Sequence, residues 1–134
     1  MKYIFFLAIS FIFFTAVSSS AQNIKRFSDY SAGMSNANLE QQAIDAINQK
    51  AENEHWKERY SKAVILSDDW VTETNEYTGT IVCRKLYMML YGVWPDGKCK
   101  AVYFGFRQDY NGGGKYSKTL QYHSIGDMKD IECD

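Results

Sequence analysis

Apolar and polar residues follow a helical period in the stretch that begins at Asn38. Four apolar residues recur there on one stripe: Ala43, Ile44, Ile47 and Ala51. Such a stripe is typical of an amphipathic helix that packs on a core. Asn38, followed three residues later by Gln41, matches the capping-box start of a helix. The pattern predicts a helix from Asn38 to about Tyr60, preceded by an extended arm over residues 22–37.

Beyond Lys62 the pattern changes to β-branched and aromatic runs separated by turn residues, which indicates consecutive antiparallel strands. We predict four strands, over residues 63–67, 80–91, 98–107 and 115–123. The second and third strands are joined by a turn in which Pro95 favours the second position and Gly97 can take a positive φ. Residues 125–134 are predicted to form a C-terminal tail that completes a single domain over residues 38–134.

The order of these elements predicts an α+β fold in which one N-terminal helix packs on a curled, four-stranded antiparallel meander. By element order alone, this layout resembles the cystatin-like and NTF2-like folds. The Gln-x-Val-x-Gly pattern of cystatin inhibitory hairpins is absent from the chain. The resemblance therefore implies a fold and does not imply protease inhibition.

Strand parity divides the sheet into two faces. If Pro95 and Asp96 form a two-residue turn, Cys83 lies opposite Gln108 and one apolar face can cover the helix. This predicted core face contains Ile81, Cys83, Tyr87, Met89, Tyr91, Val102, Phe104, Phe106, Leu120 and Tyr122. The opposite face contains Val82, Arg84, Leu86, Met88, Leu90, Cys99, Ala101, Tyr103, Arg107, Ser117, Thr119, Gln121 and His123. A one-residue slip in register would exchange members of the two faces.

The second predicted face needs a cover or a partner, because it is apolar on one strand and polar on another. In one interpretation the arm and the tail, with Met128 and Ile131, fold over it. In the other it forms a protein-binding or self-association surface, since exposed apolar patches mark interaction sites. The residues expected to form that surface are Arg84, Leu86, Met88, Tyr103, Arg107 and His123.

The composition of the first 21 residues indicates the compartment in which the protein is expected. Residues 1–21 combine a short cationic start, an apolar run from Ile4 to Val17 and small residues before Ala21, which is the pattern of a secretory signal peptide. The apolar run is shorter than the roughly 20 residues of a membrane-spanning helix. We therefore expect cleavage near Ala21 and a secreted or periplasmic protein without stable membrane insertion.

Charge is distributed unevenly along the chain. Residues 80–124 contain seven basic and two acidic side chains, whereas residues 22–79 contain six basic and ten acidic ones, and residues 125–134 contain one basic and four acidic ones. Either the acidic flanks neutralise the basic sheet, or the sheet attracts an acidic partner.

Three cysteines in an exported chain leave one thiol unpaired. The hairpin register separates Cys83 from Cys99 by about nine residues of strand at roughly 3.3 Å each, which is too far for a disulfide. The tail can return Cys133 to Cys99. We therefore predict a Cys99–Cys133 disulfide, with Cys83 buried as a small apolar residue.

Other chemistry finds little support in the residue pattern. A nucleophilic Cys83 would need His55 or His123 beside it, and we expect His123 on the opposite face. The two histidines with Asp68 and Asp69 lack ligand spacing, so we expect no metal, and we find no cofactor motif. The run from Tyr103 to Arg107 only partly resembles an RNA-binding strand, so we expect no nucleic acid.

The leading hypothesis is an exported, non-enzymatic protein-binding module, such as an inhibitor or an immunity-type neutraliser of a hydrolase. The alternative is a small-ligand-binding or hydrolase-like domain with a pocket between Trp56, Tyr60 and the concave sheet, flanked by Trp70 or Trp94. A structure can separate these hypotheses by showing where a pocket lies and which sheet face is covered.

Overall fold

The computed structural model describes residues 23–134; the expected signal peptide and Gln22, the first residue of the arm, lie outside this range. A short 3₁₀ helix, Phe27–Asp29, and helix α1, Ala37–Asn53, come before the strands. The strands are β1 Arg59–Ile65, β2 Val71–Thr74, β3 Ile81–Val93, β4 Cys99–Gly112, β5 Lys115–Tyr116 and β6 Gln121–Ile131. No helix among the described residues is long and apolar enough to cross a membrane.

One helix packs on a strongly curled antiparallel sheet, which confirms the predicted α+β class. Strands β3 and β4 form its centre; β1 and β2 pair with β3, and β5 and β6 pair with β4. The prediction of four strands was wrong in two places. Strand β2 is exposed along its whole length, so it has no apolar alternation to reveal it. The predicted tail is mostly strand, because β6 continues along β4 as far as Ile131.

Helix α1 begins and ends earlier than its pattern predicts. Its N-cap is Asn36, whose side-chain oxygen accepts a hydrogen bond from the N–H of Leu39 at 3.1 Å. At the other end His55 adopts φ 60°, and the N–H of Trp56 donates to the carbonyl of Ala51 at 2.8 Å. This is the left-handed closure of a Schellman motif, a position that usually holds glycine. A histidine there gave no sequence signal for the end of the helix.

The loop between β3 and β4 contains three residues rather than the expected two. The N–H of Trp94 bonds to the carbonyl of Lys98 at 2.9 Å, and Gly97 has φ 83°. Three-residue hairpin loops commonly place a left-handed residue at this position. The extra residue puts Cys83 opposite Asp109 instead of Gln108. Every β3 side chain therefore lies on the face opposite to the predicted one.

The helix-facing side of the sheet carries the main core. Its fully buried strand residues are Ile65, Leu86, Met88, Leu90, Val102, Phe104 and Phe106. They pack against the stripe of α1 formed by Leu39, Ala43 and Ile47. The face predicted for Phe104 and Phe106 is thus correct. The face predicted for Cys83, Tyr87, Met89 and Tyr91 is wrong, because of the loop length.

A second, smaller core lies on the outer face of the sheet, on the side away from α1. There the arm places Phe27 against Tyr91, with ring centroids 5.7 Å apart, over buried Met89 and Ala101. Ile131 from the end of β6 packs on the same cluster. The arm and the chain end therefore cover this half of the outer face. Met128, which was expected to help, is 50% exposed.

A disulfide joins Cys99 to Cys133, as predicted, with the two Cα atoms 5.3 Å apart. Three further contacts hold the chain end. Glu132 pairs with Arg26 of the arm at 3.0 Å, and Asp134 forms an ion pair with Lys62. The N–H of Asp134 also donates to the hydroxyl of Tyr91 at 3.0 Å. The disulfide and these contacts together hold the chain end against β4, the arm and β1.

Replacing Asn36 with alanine should lower the free energy of unfolding by about 1 kcal/mol, because the N–H of Leu39 loses its acceptor. Asn38→Ala is the matched control, since the Asn38 side-chain oxygen accepts an exposed hydrogen bond from the Gln42 side chain one turn later and, within residues 23–134, from no backbone N–H. Urea denaturation measures both effects. Equal destabilisation by the two substitutions would contradict the observed cap.

Replacing Cys99 and Cys133 together with serine should lower the free energy of unfolding by about 4 kcal/mol in the chain-entropy model, because the cross-link closes a separation of 34 residues. Urea denaturation of the double variant and of the wild-type protein, with and without dithiothreitol, measures the loss. The reduced wild type should resemble the double variant, and an unchanged midpoint in both would contradict the prediction.

Candidate functional site

The half of the outer face that the arm leaves uncovered is the candidate site. We name it the outer-face patch and define it by five partly exposed residues: Lys85, Tyr87, Tyr103, Arg107 and His123. They come from β3, β4 and β6, so three adjacent strands position them. Residues on a paired sheet hold their spacing, and the patch is therefore a preformed surface.

Two tyrosine rings form the middle of the patch. The rings of Tyr87 and Tyr103 are nearly parallel, at 9°, with centroids 5.7 Å apart. Each ring lies over a glycine of the neighbouring strand. A Cβ on Gly105 would stand 3.2 Å from Cε1 of Tyr87, and a Cβ on Gly126 would stand 2.8 Å from Cδ1 of Tyr103. The two glycines thus leave the space that the rings occupy.

Two ion pairs border the tyrosines. Lys85 donates to Glu73 of β2 at 2.8 Å, and Arg107 donates to Asp109 at 2.6 Å. The hydrogen bond from Lys85 is the main cause that lowers the pKa of Glu73. The hydrogen bond to Asp109 raises the pKa of Arg107. Each cation is held in place by a carboxylate that itself remains substantially exposed.

The thiol of Cys83 lies beneath this border and is fully buried. It donates a hydrogen bond to Oε2 of Glu73 at 3.2 Å. Burial raises the pKa of the Cys83 thiol, and the hydrogen bond to Glu73 raises it further. A nucleophilic cysteine needs a lowered pKa and access to solvent, so this arrangement favours an inert thiol.

His123 lies on the same face as Cys83, which corrects the expectation that the two are on opposite faces. The β3 register brings Cys83 to the outer face. In β6, Ser124 pairs with Gly105 and Tyr122 pairs with Phe106, so His123 between them forms a bulge. Burial is the main cause that lowers the pKa of His123, and the charges of Lys85 and Arg107 lower it further. The histidine is therefore neutral at physiological pH and can both donate and accept a hydrogen bond.

The structure divides the six predicted binding residues between the two faces. Tyr103, Arg107 and His123 belong to the outer-face patch. Leu86 and Met88 have no exposed surface and pack under α1, so they cannot line a binding surface. Arg84 lies on their side of the sheet. Lys85 and Tyr87 were missed, and reading Gly97 as part of a three-residue loop would have found them.

Ion pairs connect the basic sheet to the acidic flanks only in part. Lys85 pairs with Glu73, and Lys100 approaches Asp130 at 3.7 Å. These contacts support the interpretation that the flanks neutralise the sheet. Arg84, however, makes no ion pair with any residue in the range 23–134.

The expected pocket between α1 and the sheet is filled by side chains. Tyr60 is 3% exposed, and its ring contacts Phe104 and Trp94 at centroid distances of 5.4 and 6.2 Å. Surface clefts of about 300, 290 and 250 Å³ lie elsewhere, beside the arm, beside α1 and beside the disulfide. Within residues 23–134, no three His, Cys, Asp or Glu side chains are grouped so as to hold a metal ion.

Comparison with known proteins finds no match for this chain among protein-family models, curated protein sequences or solved structures. The cystatin-like and NTF2-like layouts accordingly remain resemblances in the order of the elements. The chemistry of the site itself must therefore indicate the function.

Lowering the pH through the ordinary pKa of histidine, 6.5, should destabilise the fold through His123. Its folded-state pKa is lowered, so the unfolded chain binds the proton first, and the stability that His123 contributes is lost as the pH falls. His123→Gln should therefore show a smaller loss of stability between pH 7 and pH 5.5 than the wild type, measured by urea denaturation. His55→Gln is the control, and identical pH profiles for wild type and His123→Gln would contradict the prediction.

Proposed function

We propose that the protein is an exported, non-enzymatic protein-binding module that engages its partner through the outer-face patch. The observation that carries the proposal is the half-covered outer face. The arm covers one half with Phe27, while the other half presents a tyrosine pair beside Arg107 and His123. An inhibitor or an immunity-type neutraliser of an exported hydrolase is the type of function that suits such a surface.

The residue types of the patch support a protein partner. Tyrosine and arginine are enriched at protein interfaces and among the residues that contribute most to binding. The tyrosine rings rest on the sheet and Arg107 is bound to Asp109, so binding would immobilise few additional rotamers. A partner can also hydrogen-bond to His123, whose neutral ring offers one donor and one acceptor.

Export is supported by two independent features. The first 21 residues have the composition of a secretory signal peptide. The Cys99–Cys133 disulfide suits an oxidising compartment, such as the periplasm or the extracellular space. The partner is therefore to be sought among exported proteins.

An enzymatic function receives less support from the geometry. The Cys83 thiol is buried with a raised pKa, and the space expected for a ligand pocket is occupied by Tyr60. Neither arrangement provides a nucleophile beside an open cavity, which a small hydrolase would need.

A photo-crosslinking residue, p-benzoylphenylalanine, placed at Tyr103 should join the protein to one exported partner. The same residue at Tyr77, which is 88% exposed in the turn between β2 and β3, provides a control of the same side-chain type outside the patch. A product formed at both positions, or at neither, would contradict the proposal.

With the crosslinked partner purified, Tyr103→Ala and Arg107→Gln should each weaken its binding at least about tenfold, as expected for central interface residues. Tyr77→Ala should leave the affinity unchanged. Surface plasmon resonance measures all three variants, and circular dichroism confirms that each one folds. Wild-type affinity for both patch variants would refute the role of the outer-face patch.

A further inference from the structure

Arg84 packs against two aromatic rings on the helix-facing side of the sheet. Its Cζ atom stands 4.0 Å from the ring centroid of Trp70 and 4.3 Å from that of Tyr116. Both rings therefore lie within cation–π distance of the guanidinium. Stacking of this kind stabilises an arginine and fixes its plane.

One edge of the guanidinium is held by a neutral group. Nε and Nη2 of Arg84 donate to Oε1 of Gln108 at 2.9 and 2.7 Å. Gln108 is 4% exposed and is the buried polar residue of the described core. It orients Arg84 without neutralising it. Arg84 differs in this respect from Arg107, whose charge is matched by Asp109.

The other edge of the guanidinium reaches solvent. Nη1 has no hydrogen-bond partner within residues 23–134, as the bonds of Arg84 are those to Gln108. In the same range, no fully buried side-chain nitrogen or oxygen lacks a partner. Nη1 is therefore accessible at the surface. Together Nη1 and Nη2 present the end-on pair of N–H groups that binds a carboxylate in a bidentate manner.

We propose that Arg84, with Trp70 and Tyr116 as walls, forms a binding site for a carboxylate ligand. The ligand enters in the plane of the guanidinium, so a planar carboxylate fits between the walls better than a tetrahedral phosphate does. Lys115 and Lys118 lie within two residues of Tyr116 in the chain and contribute positive charge to this segment. The carboxylate belongs either to a small organic acid or to the C-terminus of a peptide.

This site is independent of the outer-face patch. The side chain of Arg84 belongs to the helix-facing side of β3, while Lys85 and Tyr87 belong to the other side. Failure of the patch to bind a partner protein would therefore leave the carboxylate site untouched, and the reverse also holds.

The test is a titration of the wild-type protein with N-acetylglycine, followed through the ¹H–¹⁵N resonance of Arg84 Nε. N-acetylglycine should shift this resonance in a saturable manner, whereas N-acetylglycinamide, its neutral counterpart, should not. Inorganic phosphate should bind at least several-fold more weakly. Equal responses to the acid and the amide, or tighter binding of phosphate, would overturn the proposal.

Two substitutions make the assignment specific. Arg84→Lys keeps the charge but loses the planar pair of donors, so the affinity for N-acetylglycine should fall about tenfold or more. Gln108→Glu keeps the shape and neutralises Arg84 internally, and it should also weaken binding. Because Gln108→Glu retains the hydrogen bonds, it tests the site even if Arg84→Lys fails to fold. Wild-type affinity in a folded Gln108→Glu variant would count against the site.

Arg59→Gln is the matched control, since within residues 23–134 Arg59 also bonds only to neutral oxygens, the carbonyls of Trp56 and Glu58. It should bind N-acetylglycine like the wild type. An acetylated tetraglycine with a free C-terminus identifies the source of the carboxylate. Binding tighter than that of N-acetylglycine indicates a peptide C-terminus, and equal binding indicates a small acid.

Discussion

The pairing register between β3 and β4 determines which side chains the rest of the structure can use. A three-residue loop closed by Gly97 sets this register, and β3 and β4 form the centre of the sheet. A shift of this pairing register by one residue would place Lys85 under the helix and Leu86 in solvent. Because a buried lysine without a partner is costly, the alternative register is excluded by the core as well as by the loop. Both proposed sites exist because this one register was selected.

The apolar residues on the two faces of the sheet are covered in different ways. On one face a regular helix covers the aromatic residues of β4, among them Phe104. On the other, an irregular arm covers only the half nearest the disulfide, because Phe27 and Tyr30 supply two large rings and the chain then turns towards β1. Short irregular segments bury little area for each residue they order. The uncovered half is consequently polar at its border, where Lys85 and Arg107 have carboxylate partners.

Much of the architecture could be predicted from local pattern, and the remainder depends on long-range pairing. The helix stripe from Ala43 to Ala51 and the faces of β4 follow from periodicity alone. The Cys99–Cys133 disulfide could be predicted because the C-terminal segment is long enough to return Cys133 to Cys99. The end of α1 could not be predicted, because His55 occupies a position where glycine is the usual signal. The faces of the β3 residues depended on a single loop residue, so three of the six predicted binding residues, Arg84, Leu86 and Met88, lie on the helix-facing side.

The burial of Cys83 has a consequence for how the chain acquires its cross-link. Three thiols allow three different pairings during oxidation, and thiol exchange between them requires contact between sulfur atoms. In the folded chain Cys83 lies opposite Asp109, about ten residues of strand from Cys99 at roughly 3.3 Å each. Its sulfur is closed off from solvent and bonded to Glu73. Once β3 has paired with β4, the Cys83 sulfur is too far from Cys99 to exchange with the Cys99–Cys133 disulfide. Formation of the sheet therefore prevents incorrect disulfide pairing.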